Sequence, residues 1–212
     1  MFIELLLENW LLYLTIIVVV IVSVCLHEFA HALAAQSQGD TTAKNAGYLT
    51  LNPWVQMGPY SLLFLFFAGI AWGVTPTNPS YFRFGKLSET LVAFSGPLMN
   101  ILLMFLCIAG LVLMPDESIL RQDWLAIVLK VGAQLNAVLF LLNILPIPPL
   151  DGFAMLSPWL PFLKNNEAKL SQYGFFILIL LFFVLRLGEW LFDAASDINR
   201  WAYGLLSNGL AI

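Results

Sequence analysis

Residues 11–35 read LLYLTIIVVVIVSVCLHEFAHALAA, an apolar run that carries His27, Glu28 and His31 in its last turns. At 1.5 Å per residue, roughly 20 residues cross the hydrocarbon core of a bilayer, so this stretch is long enough to span it as a helix. The composition agrees. Of the 212 residues 60% are hydrophobic and 10% are charged, whereas a soluble domain carries roughly 25% charged residues, which excludes a water-soluble globular protein. Nine Lys and Arg against 13 Asp and Glu give a net charge of -4, which leaves no basic surface for a run of phosphates and excludes nucleic acid as a partner. Cys25 and Cys107 each stand alone in an apolar run, so neither a disulfide framework nor a Cys-based zinc site is supported. Residues 1–10 hold Glu4 and Glu8 but no Lys or Arg, unlike the basic start of a secretory signal, and read as mature chain.

Outward from that run, residues 87–114, 125–145 and 173–192 meet the same length criterion for a crossing. Residues 60–73 are apolar and aromatic but too short to cross, and read as a re-entrant or interfacial piece. Residues 48–52 alternate with a period near two and stop at Pro53, the pattern of a short strand. The expectation is an all-α polytopic membrane protein: about four spanning helices, a re-entrant segment, and a short β-strand or hairpin near the metal site. No repeat, low-complexity tract or linker divides residues 1–212, so a single membrane-embedded domain is expected, with residues 193–212 lying along its surface.

His27-Glu28-Phe29-Ala30-His31 is an HExxH sequence holding the only two histidines of the chain. Histidines four apart share one helical face, so two imidazole nitrogens can meet at one metal ion while the adjacent Glu28 reaches a water held there. Packing or helix-helix hydrogen bonding is the bland reading of a histidine in a spanning helix. Three ionisable groups within five residues of such a helix are, however, expensive to bury without a purpose. A catalytic zinc needs a third protein ligand, and no histidine remains to supply it. Among the carboxylates Asp151 stands out, because Pro146, Pro148 and Pro149 precede it and break the helix where only a protein-enclosed or polar setting tolerates free backbone groups. The residues alone leave Asp151 open between a ligand and an Asp-Gly turn or helix cap. Gln36, Asn100, Gln134, Asn136 and Asn143 are each open between lining a polar route for water and joining helices.

If His31 and Asp151 bind one metal, the helix ends that carry them face the same side, so an odd number of crossings separates them. Residues 60–73 are then the piece that does not cross. With the N-terminus outside, Lys44, Arg83, Lys86, Lys164 and Lys169 fall on the inner side, and Arg121 and Arg200 on the outer, in keeping with the positive-inside rule. The metal site is therefore expected toward the cytoplasmic face.

Taken together, His27-Glu28-Phe29-Ala30-His31, Ser95-Gly96-Pro97-Leu98-Met99-Asn100, and residues 143–152, similar to an Asn-x-x-Pro-x-Pro-x-Leu-Asp-Gly motif, resemble the site-2 proteases, intramembrane zinc metalloproteases. The resemblance is to the compact form without PDZ or other appended domains. It implies one zinc ion on His27, His31 and Asp151, Glu28 as general base, and Asn143 beside the site to position substrate or stabilise the oxyanion. It implies hydrolysis of peptide bonds in transmembrane protein substrates (regulated intramembrane proteolysis) within the lipid bilayer of a prokaryotic inner or plasma membrane. An extended substrate is expected to pair with the strand at 48–52. The chain departs from the compact branch at Tyr48, where a basic residue is usual, and at 55–58, which lacks the usual His and Asp. Two other readings share the motif: a catalytically weak zinc-binding scaffold or chaperone, and a metal transporter. A base-like Glu28 beside the first histidine fits hydrolysis better than transit.

Overall fold

The computed structural model describes residues 2–115 and 123–210; Arg121 lies outside them. A short helix α1 (Glu4–Glu8) leads into α2 (Trp10–Ser37), whose first turn is capped by the Asn9 side chain accepting from Leu12 N–H. Short helices α3 (Thr42–Asn45) and α4 (Pro53–Gln56) follow, then α5 (Gly58–Ala68), α6 (Lys86–Val112) and α7 (Trp124–Asn143). Beyond them come α8 (Asp151–Leu156), α9 (Pro161–Asn165), α10 (Glu167–Phe183) and α11 (Leu187–Leu210). By length and apolar composition α2, α6 and α7 can each cross a membrane. With 11 residues, α5 is about 16 Å long, half of the hydrocarbon thickness, in agreement with a segment that does not cross.

Burial is inverted relative to a soluble bundle. Leu14, Val18 and Val22 form an exposed stripe on α2, and Leu98, Leu102 and Leu106 another on α6, as lipid contact requires. Ser23, His27, Glu28 and His31 of α2, Asn100 of α6 and Asn136 of α7 are buried where these three helices pack on one another. Polar groups in hydrocarbon must find partners within the protein, so the inner faces carry the hydrogen bonds and the outer faces the leucines. Helix α5 lies beside α2, where Met57, Leu62 and Leu65 pack on Tyr13, Ile17 and Val24.

Two expectations change. Among the described residues there is no strand: 48–52 is a bent loop. The cause is Gln56, 1% exposed, whose Nε2 donates to the carbonyls of Tyr48 (2.9 Å) and Thr50 (2.6 Å). These two bonds tie the Tyr48 and Thr50 carbonyls to α4, and no partner strand lies beside the segment among the described residues. Residues 173–192 are not one straight crossing either. The chain breaks at 184–186, with Arg186 at φ 52 and a bend of 74° between α10 and α11, so a fourth span exists only if the bent pair is counted as one. The residues after the break explain it: Glu189, Asp193, Asp197 and Arg200 make α11 too polar to sit alone in lipid. Instead of lying free on the surface, α11 packs Ala195 and Ala202 against Met104 and Ile108 of α6 and Ala133 and Ala137 of α7.

A third feature places the site. Residues 70–78 form neither helix nor strand and are fastened along their length. The Ser61 hydroxyl donates to Trp72 O (2.7 Å) and accepts from Trp72 N–H, Val74 N–H donates to Gln56 O (3.1 Å), and Asn78 N–H donates to Asp40 Oδ2 (2.6 Å). The segment is thereby held against the polar end of α2.

Candidate metal centre and active site

His27 and His31 lie one turn apart on α2, each 7% exposed, with ring centroids 4.7 Å apart. Their Nδ1 atoms face away from each other, His27 Nδ1 to Asn100 Oδ1 at 2.7 Å and His31 Nδ1 donating to Val92 O at 2.7 Å. The two Nε2 atoms consequently meet at 3.0 Å. Asp151 completes the group from the start of α8. Its Oδ2 is 3.0 Å from His27 Nε2 and its Oδ1 3.4 Å from His31 Nε2. Asp151 is the first residue of its helix, not the capping residue, which is Leu150, so the cap alternative left open by the sequence is not what this side chain does.

The chemistry of this donor set fits a divalent metal ion. Three ligand atoms lie within 4.8 Å of one another, and tetrahedral ligands about 2.0–2.1 Å from a zinc ion stand roughly 3.3 Å apart. Asp151 Oδ2 is buried and accepts no hydrogen bond, an expense that a cation removes. Gly96 of α6 keeps the space open: a Cβ there would sit within 2.5 Å of His27 Nε2 and closer still to His31 Nε2.

Glu28, also 7% exposed, is held from the opposite side by the extended segment. Thr75 Oγ1 donates to Glu28 Oε2 (2.7 Å) and lies 3.0 Å from the Glu28 carbonyl. Gly73 makes this approach possible, because a Cβ on it would lie 2.5 Å from Glu28 Oε1. His27, Glu28, His31, Asp151 and Asn143, the last residue of α7, all line one cavity of about 970 Å³. The cavity extends along Trp72 and Val74 to Glu89 and Lys164, which are joined by an ion pair of 2.8 Å.

The structure thus brings His27, Glu28, His31, Asn143 and Asp151 to one cavity, whereas Gln36, Asn100, Gln134 and Asn136 do not line it. It resolves some of the open polar residues as well: Gln134 joins α7 to α11 through Phe192 O and Asn199, while Asn100 and Asn136 bond to each other across α6 and α7. Asp40 carried no signal in the sequence, Thr75 was visible only as the start of a stretch, 75–79, that resembles a Pro/Asn-rich loop of the family, and Gly73 only as a small packing residue. Gly96 was visible as a glycine inside a spanning helix, but reads there as a packing residue.

Comparison with known proteins decides the family. The model of "Peptidase family M50" matches residues 15–122, which include the HExxH sequence and Gly96. The chain belongs to peptidase family M50. Its similarity extends over most of its length to curated members: 36% identity over 193 residues, 87% of each chain, to "Putative zinc metalloprotease YwhC" of Bacillus subtilis. It is 34% identical over 193 residues to "Putative zinc metalloprotease Rip2" of Mycobacterium tuberculosis, covering 87% of this chain and 71% of the relative. A protein of the same name from Mycolicibacterium smegmatis is 34% identical over 179 residues. No solved structure matches the chain. This M50 member is a membrane-embedded metalloprotease of the site-2 type, as its three motifs implied.

Proposed function

We propose that this zinc metalloprotease hydrolyses peptide bonds within or near transmembrane segments of membrane-protein substrates, in regulated intramembrane proteolysis, with one zinc ion held by His27, His31 and Asp151. The observation that carries the reading is the position of the ligand triangle and Glu28: in a cavity between helices long enough to cross the membrane, with no soluble domain beside it among the described residues. Zinc bound there supplies a Lewis acid that activates water and polarises the scissile carbonyl. Glu28 takes the proton from the attacking water and returns it to the leaving amine, the role of a positioned carboxylate in general acid–base catalysis. Thr75 keeps the Glu28 carboxylate in one orientation by donating to Oε2. The Asn143 side-chain amide, at the cavity wall, donates to the oxygen where negative charge develops or to the substrate backbone. The single domain of residues 1–212 works in the lipid bilayer of a prokaryotic inner or plasma membrane with its site toward the cytoplasm.

The test is cleavage of single-span reporter proteins by the purified chain in lipid, wild type against Glu28→Gln, with bound zinc measured in both. Cleavage falls by about 10²- to 10⁴-fold in the variant, and the zinc content stays the same. Cleavage persisting in Glu28→Gln, or zinc absent from both proteins, overturns the reading.

A further inference from the structure

His31 and His27 reach the metal site by different supports. His31 Nδ1 meets a backbone carbonyl, Val92 O, which only accepts, so a proton sits on Nδ1 and Nε2 is the nitrogen left to meet a metal. His27 Nδ1 meets the side chain of Asn100 instead, and an amide presents either an oxygen or an NH2 group. Which of the two faces the ring decides which nitrogen carries the proton, and a proton on Nε2 blocks that atom as a ligand.

The answer lies two side chains away, on the third spanning helix. Asn136 is 2% exposed and its amide lies between Asn100 on one side and Gly132 O and Ser23 Oγ on the other. Gly132 O, 2.9 Å away, is an acceptor with no alternative, so the Asn136 NH2 group must face it. Asn136 Oδ1 then faces Asn100 and accepts from its Nδ2 (3.0 Å). That leaves Asn100 Oδ1 for His27, 2.7 Å away, which must donate from Nδ1. Reversing the chain would set Asn136 Oδ1 against the Gly132 oxygen at 2.9 Å in a buried site; the Ser23 hydroxyl, which can donate or accept, suits either direction and does not remove that repulsion.

We propose that Asn136 is a positioning residue for the metal centre: the Gly132 carbonyl fixes the direction of a buried hydrogen-bond relay, Gly132–Asn136–Asn100–His27, that holds His27 as the Nδ1–H form with Nε2 turned to the metal. The relay crosses α7, α6 and α2, so the seating of α7 is linked to metal affinity although α7 contributes no ligand from its length. The inference rests on His27 being a ligand, as proposed above. Support to the second nitrogen of a ligating histidine is typically worth 10- to 100-fold in metal affinity or activity.

The chain has two histidines, so 15N-histidine labelling of the full-length protein gives two ring systems, and their nitrogen shifts report the protonated atom. In the metal-free wild type both rings keep a proton on Nδ1, whether or not Nε2 also takes one up beside Asp151. In Asn136→Leu the His27 ring shifts toward the Nε2–H form while His31, anchored to Val92 O, keeps its signals and serves as the measure of a folded site. Zinc affinity of the same proteins, from competition with a chelator, falls about 10- to 100-fold in Asn136→Leu. A His27 Nδ1 without a proton in the wild type overturns the proposal, and this measurement needs no variant to fold. Unchanged His27 shifts with affinity within threefold in Asn136→Leu overturn it too, while leaving the metal site standing. No zinc bound by the wild type overturns the ligand assignment and the relay with it.

Discussion

Thr75 shows how one hydroxyl bears on the chemistry. Its Oγ1 donates to Glu28 Oε2 at 2.7 Å, and a hydrogen bond to a charged acceptor is worth about 1.5–3 kcal/mol. Thr75→Val keeps the shape of the side chain and removes the donor, leaving Glu28 free to rotate away from the attacking water. The expected result is a kcat lowered about 10- to 100-fold, with KM and zinc content unchanged; a rise in KM instead would place Thr75 among substrate contacts. The residues that hold or touch the reacting groups divide into legible and illegible ones for a physical reason. His27, Glu28, His31 and Asp151 are charged or metal-binding types in an apolar sequence, and their cost in lipid marks them. Asn143 was legible only within its motif. Thr75 and Gly73 were legible only as part of a Pro/Asn-rich loop and as a small residue, and their contact with Glu28 comes from a fold-back of more than forty residues onto α2 that no local pattern encodes. Gly96 was visible as a small residue, but small residues in spanning helices commonly serve helix approach, and only the position of the two Nε2 atoms separates that role from making room for a metal.

At the scale of elements, the segment 70–78 is held at its far end by Asp40, which is fully buried. Its Oδ1 accepts from Thr42 N–H and Oγ1, and its Oδ2 from Asn78 N–H. Burial alone would raise the Asp40 pKa, but the Thr42 and Asn78 hydrogen bonds outweigh it and hold the carboxyl below the usual carboxylate range. A carboxyl whose folded pKa is depressed contributes stability above its unfolded value, about 3.9, and loses it as pH falls through the lower folded value. Asp40→Asn should therefore unfold at a lower temperature than wild type at pH 7, with the gap narrowing below about pH 4. Thermal unfolding of both proteins at pH 7 and pH 3.5 checks this; a gap that widens in acid would show that Asp40 is not a charged fastening. The same scale explains the missing strand. Alternation at 48–52 suggests a strand, but the segment bends at 49–50, no second segment pairs with it among the described residues, and Gln56 takes the Tyr48 and Thr50 carbonyls instead. The broken fourth span has a similar origin. Residues 173–192 pass the length criterion, whereas Arg186 and Glu189 within them and Asp193 just after mark the start of a helix that needs the bundle, not lipid, on one side.

At the scale of the molecule, the three spanning helices alternate in direction, so the C-terminal ends of α2, which carries His27 and His31, and of α7, which leads into Asp151, share a side. The loop between α2 and α6 carries Lys44 and Arg83 and ends at Lys86, and the stretch after α7 carries Lys164 and Lys169. Residues 1–9 carry no Lys or Arg. The excess of basic residues on the side of the ligands supports the proposed placement of that side in the cytoplasm under the positive-inside rule. Two exposed positions on opposite sides make this measurable: Glu8 at the end of α1, and Asn45 at the end of α3. Cys25 and Cys107 sit within the spanning helices, buried and half-buried, and give little background to a thiol reagent that cannot enter the bilayer. In intact bacterial cells such a reagent should label Glu8→Cys and spare Asn45→Cys, which becomes reactive only when the membrane is opened. The inverse pattern would put the metal centre on the outer face, where substrate loops released to the outside, not cytoplasmic ones, would reach Glu28 first.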